Sequence, residues 1–249
     1  MIGSRAWMQL SQGRLSFKEK ILLANQVLLP SALAFSKTLF LKSPAETSLK
    51  FAHIRMPDTA IVKDAVDELH STAQPSIVMH SWRCYYWGVA IARTKHWQFD
   101  EESFAVACLM HDLGLNQNSS ETCQCFTLAS ALKAEQLCLA HDYPEDRMTN
   151  ISNAICLHFN GYLDETDNNL TKEVLLMQKA TACDVIGTDL HRISTTFQNE
   201  VLQQFPRQQF NQQFRELLKK DALHRPHSRN ALLCKLGLLQ MIQMNPFIE

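Results

Sequence analysis

Glycine occurs only 7 times in the 249 residues, and no convincing run alternates Val, Ile and Thr with polar residues as a half-buried strand would. Apolar residues recur instead at helical spacing, with helix punctuation between the runs, which restricts the chain to an all-α bundle. One helix is expected from about Ser76 to Thr94, after Pro75. Asp100 is a plausible N-cap for the next, which carries Phe104, Ala107, Cys108 and His111 on one face before Gly114 stops it. A third spans about Phe126 to Ala140. Pro144 suits the first turn of a fourth, which ends at Gly161 just beyond His158. Thr171 can cap a fifth that contains Asp184 and ends at Gly187, and the stretch from about Thr195 to Ile242 reads as helices broken near Pro206 and Pro226.

With 46% hydrophobic residues the chain can bury a substantial core, and no low-complexity linker divides it. Residues 1–50 read as a helical extension to a bundle formed by residues 51–249. The net charge of −1 comes from 24 basic and 25 acidic residues without a long block of one sign. That balance speaks against nucleic acid or an anionic membrane as partner and for a small-molecule substrate, and leaves homo-oligomer formation open.

Of eight cysteines, Cys84, Cys108, Cys138, Cys156, Cys183 and Cys234 fall within helical apolar patterns and read as small buried hydrophobes. Cys123 and Cys125 form a C-x-C pair, too little by itself to specify a metal site. In Ile21 to Phe35, Asn25, Gln26 and Pro30 interrupt the apolar run. This speaks against a span or a leader cleaved after Ala32-Leu33-Ala34, and a reducing cytoplasm is expected.

The stretch AVACLMHDLG, residues 105–114, places His111 and Asp112 at the end of an oily run. A buried His-Asp pair must be compensated by hydrogen bonds, by charge or by a metal. His80 on the preceding helix and Asp184 on a later one can be brought to it, as in metal sites built from facing helices of a bundle. Two imidazoles and two carboxylates make a shell suited to Zn²⁺, Fe²⁺ or Mn²⁺. The competing structural reading is a capped helix whose histidine is satisfied within the core.

The order His80, His111-Asp112, Asp184 resembles the H…HD…D signature of the HD-domain superfamily of metal-dependent hydrolases. More narrowly, RMPDTAIVKDAVDEL, HSWRCYYWGVAIAR, ACLMHDLGL, AICLH, ACDVIG and QFPRQQF resemble its cyanamide hydratase-like branch, over roughly Ile54 to Phe247. The resemblance implies an HD-domain helical bundle with one divalent transition metal, Zn or Fe first and Mn next, on His80, His111, Asp112 and Asp184. It implies water addition to a small nitrile- or amide-type molecule, with Asp112 also moving a proton. His158 matches the histidine after AIC, expected to orient substrate, shuttle a proton or help bind a second metal.

Arg83, one helical turn after His80, either neutralises an anion or pairs with a carboxylate. Tyr85, Tyr86 and Trp87 line a pocket or fill the core. Arg207 and His227 match recurrent positions of the branch, Ser228 directly after His227 can cap a helix, and His141 reads as a helix end-cap. Where the branch leads one to expect an acid soon after the aromatic of the third helix, this chain has Thr127. Two other functions remain open: a phosphohydrolase of a nucleotide or phosphate ester, which needs a basic pocket, and a non-catalytic metal-binding regulatory domain. A di-iron, dioxygen-using enzyme would need a further histidine.

Overall fold

The computed structural model describes residues 1–26, 36, 49–115, 125–247 and 249. Pro30, the Ala32-Leu33-Ala34 stretch and Cys123 lie outside the described residues. Among the described residues there are helices and no strand. They are α1 (Arg5–Ser11), α2 (residues 17–26), α3 (Ala60–Thr72), α4 (Pro75–Lys95), α5 (Glu101–Met110) and α6 (Phe126–Ala140). After these come α7 (Glu145–Leu157), α8 (Lys172–Ile186), α9 (Thr195–Gln204), α10 (Phe210–His224), α11 (Arg229–Lys235) and α12 (Leu238–Gln243). No helix among the described residues is long and apolar enough to cross a membrane.

The expected caps are in place. The side chains of Asp100, Thr171 and Ser228 accept from the backbone amides of Ser103, Val174 and Ala231, and Gly187 closes α8 in the left-handed conformation that favours glycine. Helix α4 is buried on nearly every side, with Ile77, Tyr85, Trp87 and Ile91 all inaccessible. It therefore forms the middle of the bundle, with α5 and α8 packed on it. Ile77 and Ile91 each contribute about 1.5–3 kcal/mol of hydrophobic stabilisation. A second apolar cluster, containing Ile77, Leu115, Phe126, Val185, Phe210 and Phe214, joins α10 to this centre.

The described part of the N-terminal extension is helical and lies on the bundle. Met8 enters the main core, Arg5 pairs with Glu135 of α6 at 2.6 Å, and Leu15 and Leu23 meet Leu233 of α11. The described cysteines are free thiols, buried except for Cys234, which is half-buried because its helix α11 lies near the surface.

Two helices stop earlier than expected, and for the same reason. Helix α5 ends at Met110, not beside Gly114, because the His111 ring folds back and its Nδ1 donates to the Cys108 carbonyl at 2.8 Å. That carbonyl would otherwise serve the amide of residue 112. Helix α7 ends at Leu157, where His158 Nδ1 donates to the Ile155 carbonyl at 2.7 Å and residues His158–Asn160 tighten into a 3₁₀ turn. Gly114 then makes the sharp exit from the His-Asp pair. Its amide donates to Ser130 Oγ at 2.9 Å, and a Cβ there would collide with the Phe126 carbonyl.

Candidate metal centre

His80, His111, Asp112 and His158 converge in the interior where α4, the end of α5 and the end of α7 meet, and all four are at most 5% exposed. Each imidazole has its Nδ1 engaged elsewhere. His111 and His158 donate to carbonyls three residues back, and His80 Nδ1 donates to Asp184 Oδ2 at 2.7 Å. In a neutral ring the other nitrogen, Nε2, is then a lone pair. Burial lowers the pKa of His80, and lowers that of His158 to about 3, so both rings stay neutral at ordinary pH.

The three Nε2 atoms gather around Asp112. His80 Nε2 stands 3.1 Å from His111 Nε2; Asp112 Oδ2 is 3.3 Å from His111 Nε2 and 3.6 Å from His80 Nε2; Asp112 Oδ1 is 3.7 Å from His158 Nε2. Both Asp112 oxygens are buried and lack a hydrogen-bond partner among the described residues. Burial by itself pushes this carboxyl's pKa up; positive charge on the surrounding imidazoles of His111, His80 and His158 would bring it down to about 2, a part that falls to a bound cation when the rings are neutral. Lone pairs facing each other across 3.1 Å beside an unpartnered carboxylate repel unless a proton or a metal cation lies among them.

The spacing suits one metal ion. Two nitrogens each about 2.0–2.1 Å from a shared zinc stand roughly 3 to 3.4 Å apart, depending on the bond angle. The residues present therefore fit a divalent metal. Two overlapping donor groups could hold one: His111, Asp112 and His158, or His80, His111 and the buried Cys84.

Asp184 occupies a different place from the one expected of a ligand. Its carboxylate sits behind His80, accepting from Arg83 Nε (2.7 Å) and Nη2 (2.8 Å), Trp87 Nε1 (2.8 Å) and His80 Nδ1. The Arg207 guanidinium lies 3.5 Å away. Burial opposes its ionisation, but Arg83 and then Arg207 outweigh this and hold the carboxyl well below the usual range. The arrangement is that of a carboxylate fixing a histidine whose other nitrogen faces the metal position. Of the two uses open to Arg83, pairing with a carboxylate is the one observed. Its remaining nitrogen donates to the Phe205 and Pro206 carbonyls, at 3.3 and 3.1 Å.

The other candidates separate clearly. Tyr85 donates to the Arg55 carbonyl from the core, and Trp87 reaches Asp184. Arg207 is buried, donates to the Asp184 carbonyl at 3.2 Å, and is paired with Glu249. His141, which follows α6, bonds Asp64 at 2.8 Å, away from the cluster, and His227 stands near Lys20. Thr127 accepts a hydrogen bond from Arg229. The signal available in the sequence for His158 was its place after an apolar run that its own ring terminates, the same device as at His111. Nothing in the spacing pointed to Trp87 or Arg229.

An aromatic wall closes one side. Phe210 stacks on the His80 ring at 4.6 Å between centroids, Phe214 stacks on Phe210, and Phe126 meets His158 edge-on at 6.0 Å.

Residues 77–186 match the HD domain family, a span containing His80, His111, Asp112, His158 and Asp184. Two curated relatives from Saccharomyces cerevisiae, cyanamide hydratase DDI2 and cyanamide hydratase DDI3, are each 30% identical to the chain over 138 residues. The match covers 53% of this chain and 59% of each relative.

Proposed function

We propose, from the HD domain that this chain carries over residues 77–186, that it is a metal-dependent hydrolase or hydratase acting on a small neutral molecule of nitrile or amide type. The observation that carries this reading is the unpartnered Asp112 carboxylate faced by three imidazole Nε2 atoms. His80, His111 and Asp112 would hold the ion, with His158 as the fourth donor and Asp184 as the group that orients His80. Three imidazoles and a carboxylate suit Zn²⁺ or Fe²⁺, with Mn²⁺ next. Such an ion, when bound, supplies a water acidified to a pKa of about 7.

The chain's own residues do the rest. Asp112 has one oxygen toward His111 and His80 and the other toward His158, so it can help hold the cation and also accept or return a proton. Phe210, Phe214 and Phe126 exclude bulk water and favour a compact, uncharged substrate. Arg83 acts at one remove, through Asp184 and His80.

The similarity to the two cyanamide hydratases supports a nitrile as the first substrate class. The phosphate-ester alternative needs a basic pocket, and four cations that could have lined one are each engaged with a carboxylate. Arg83 pairs with Asp184, Lys133 with Glu68, Arg192 with Asp189 and Arg207 with Glu249. Turnover assays of metal-loaded protein on cyanamide, small nitriles and small amides, with phosphate esters as the contrasting set, test the proposal. Activity confined to phosphate esters would overturn the substrate class, and no activity with full metal content would favour a regulatory domain.

A further inference from the structure

Arg229 begins α11 directly after its Ser228 cap, and its side chain is fully buried. Nη1 donates to Asn160 Oδ1, while Nη2 donates to Thr127 Oγ1 at 2.7 Å and to the Cys156 carbonyl at 2.7 Å. Among the described residues no carboxylate lies within ion-pair distance of it. Three neutral oxygen acceptors, one of them at the electronegative C-terminal end of α7, and the Cys125 sulfur at 3.6 Å from Nη2 compensate the charge. One of these, Thr127, is a hydroxyl at the position where the family resemblance implies an acid.

What the guanidinium grips is specific. Cys156 lies two residues before His158 and Asn160 two residues after it, so Arg229 holds the turn that carries the imidazole from both sides. Thr127 ties the same guanidinium to the first turn of α6. From outside, Asn160 Nδ2 donates to the Ile2 carbonyl at 2.8 Å. Gly3, at φ +88°, lies so close that a Cβ there would overlap both the Asn160 side-chain oxygen and the Arg229 guanidinium.

We propose that Arg229, closed from outside by Ile2 and Gly3, is the positioning residue for His158, gripping the backbone before it and the side chain after it so that Nε2 faces Asp112. This rests on the reading of His158 as a metal donor. The N-terminal residues thereby act on the metal centre through a buried relay, without touching it.

Cobalt(II) titration of the metal-stripped full chain, followed by visible absorption, tests this. His158→Ala should weaken Co²⁺ binding and change the spectrum. Arg229→Met and Gly3→Ala should each weaken it by about 10–100-fold, the usual range for residues that orient a ligand. Arg229→Lys, which cannot span the three acceptors, should recover only part of the loss. Gly237→Ala is the control: it imposes the same kind of backbone strain at φ +100°, but its nearest neighbour is 4.0 Å away. It should bind Co²⁺ as the unaltered chain does. If Arg229→Met fails to fold by circular dichroism, Gly3→Ala carries the test. If His158→Ala weakens binding while Gly3→Ala and a folded Arg229→Met do not, the positioning role is wrong and the ligand reading stands. If His158→Ala binds normally, both fall.

Discussion

Arg83 and Arg229 are both fully buried, and each acts on an imidazole whose Nε2 faces Asp112. Arg83 meets an opposite charge. It forms a two-pronged pair with Asp184, which in turn holds His80 and is further bonded by Trp87. Arg229 meets only neutral acceptors among the described residues and is covered by the N-terminal residues. The His80 side is thus a charge-matched clamp deep in α4 and α8, and the His158 side is a charge-unmatched one at the margin of α7, α11 and the extension. Breaking the first strands a buried carboxylate. Breaking the second removes a charge that has no counter-charge among the described residues and leaves neutral acceptors unsatisfied.

The largest contrast is expected in stability. Arg83→Met should cost about 3–5 kcal/mol in urea unfolding, because Asp184 is left buried without its main counter-charge. Arg229→Met should cost less, about 1–3 kcal/mol net, because the penalty of about 1–3 kcal/mol for each unsatisfied neutral acceptor is offset in part by removal of a buried charge that lacks an ion-pair partner among the described residues. Equal costs for the two would erase the distinction.

A double-mutant cycle sharpens it. Thr127→Asp places a carboxylate beside Arg229 and should be tolerated better in the unaltered chain than in the Arg229→Met background, with a coupling of about 0.5–3 kcal/mol. A coupling near zero would mean that Arg229 gains nothing from a counter-charge. The smallest effect is expected at the anchor of the extension. Arg5→Ala removes a partly exposed pair with Glu135 and should change stability by about 0.2–1 kcal/mol, since solvent screens such a pair.

Much of this arrangement could be read from the sequence, for identifiable reasons. Caps are local, so Asp100, Thr171, Ser228 and Gly187 announced their helix boundaries correctly. The His-Asp pair in an apolar run announced a buried polar site because such a pair is costly without compensation. What stayed hidden depends on contacts between distant elements. Asp184 reads as a ligand by order along the chain, but its orientation is decided by Arg83 and Trp87 one and two turns along α4 from His80. The ends of α5 and α7 were placed too far along because periodicity does not reveal a histidine ring that takes its own helix's last carbonyls. Arg229 follows a cap and looks like an ordinary first-turn residue. Only the packing of α6, α7 and the extension around it gives it a role.

Whether the lone pairs around Asp112 hold one metal ion decides what this site can do. The most direct measurement is the metal-to-chain ratio, by elemental analysis of protein purified without added metal, alongside Asp112→Ala. The prediction is about one zinc or iron per chain in the unaltered protein and loss of that metal in Asp112→Ala. Protein that holds no metal even after it is added back, or an Asp112→Ala variant that keeps its full content, would contradict the account.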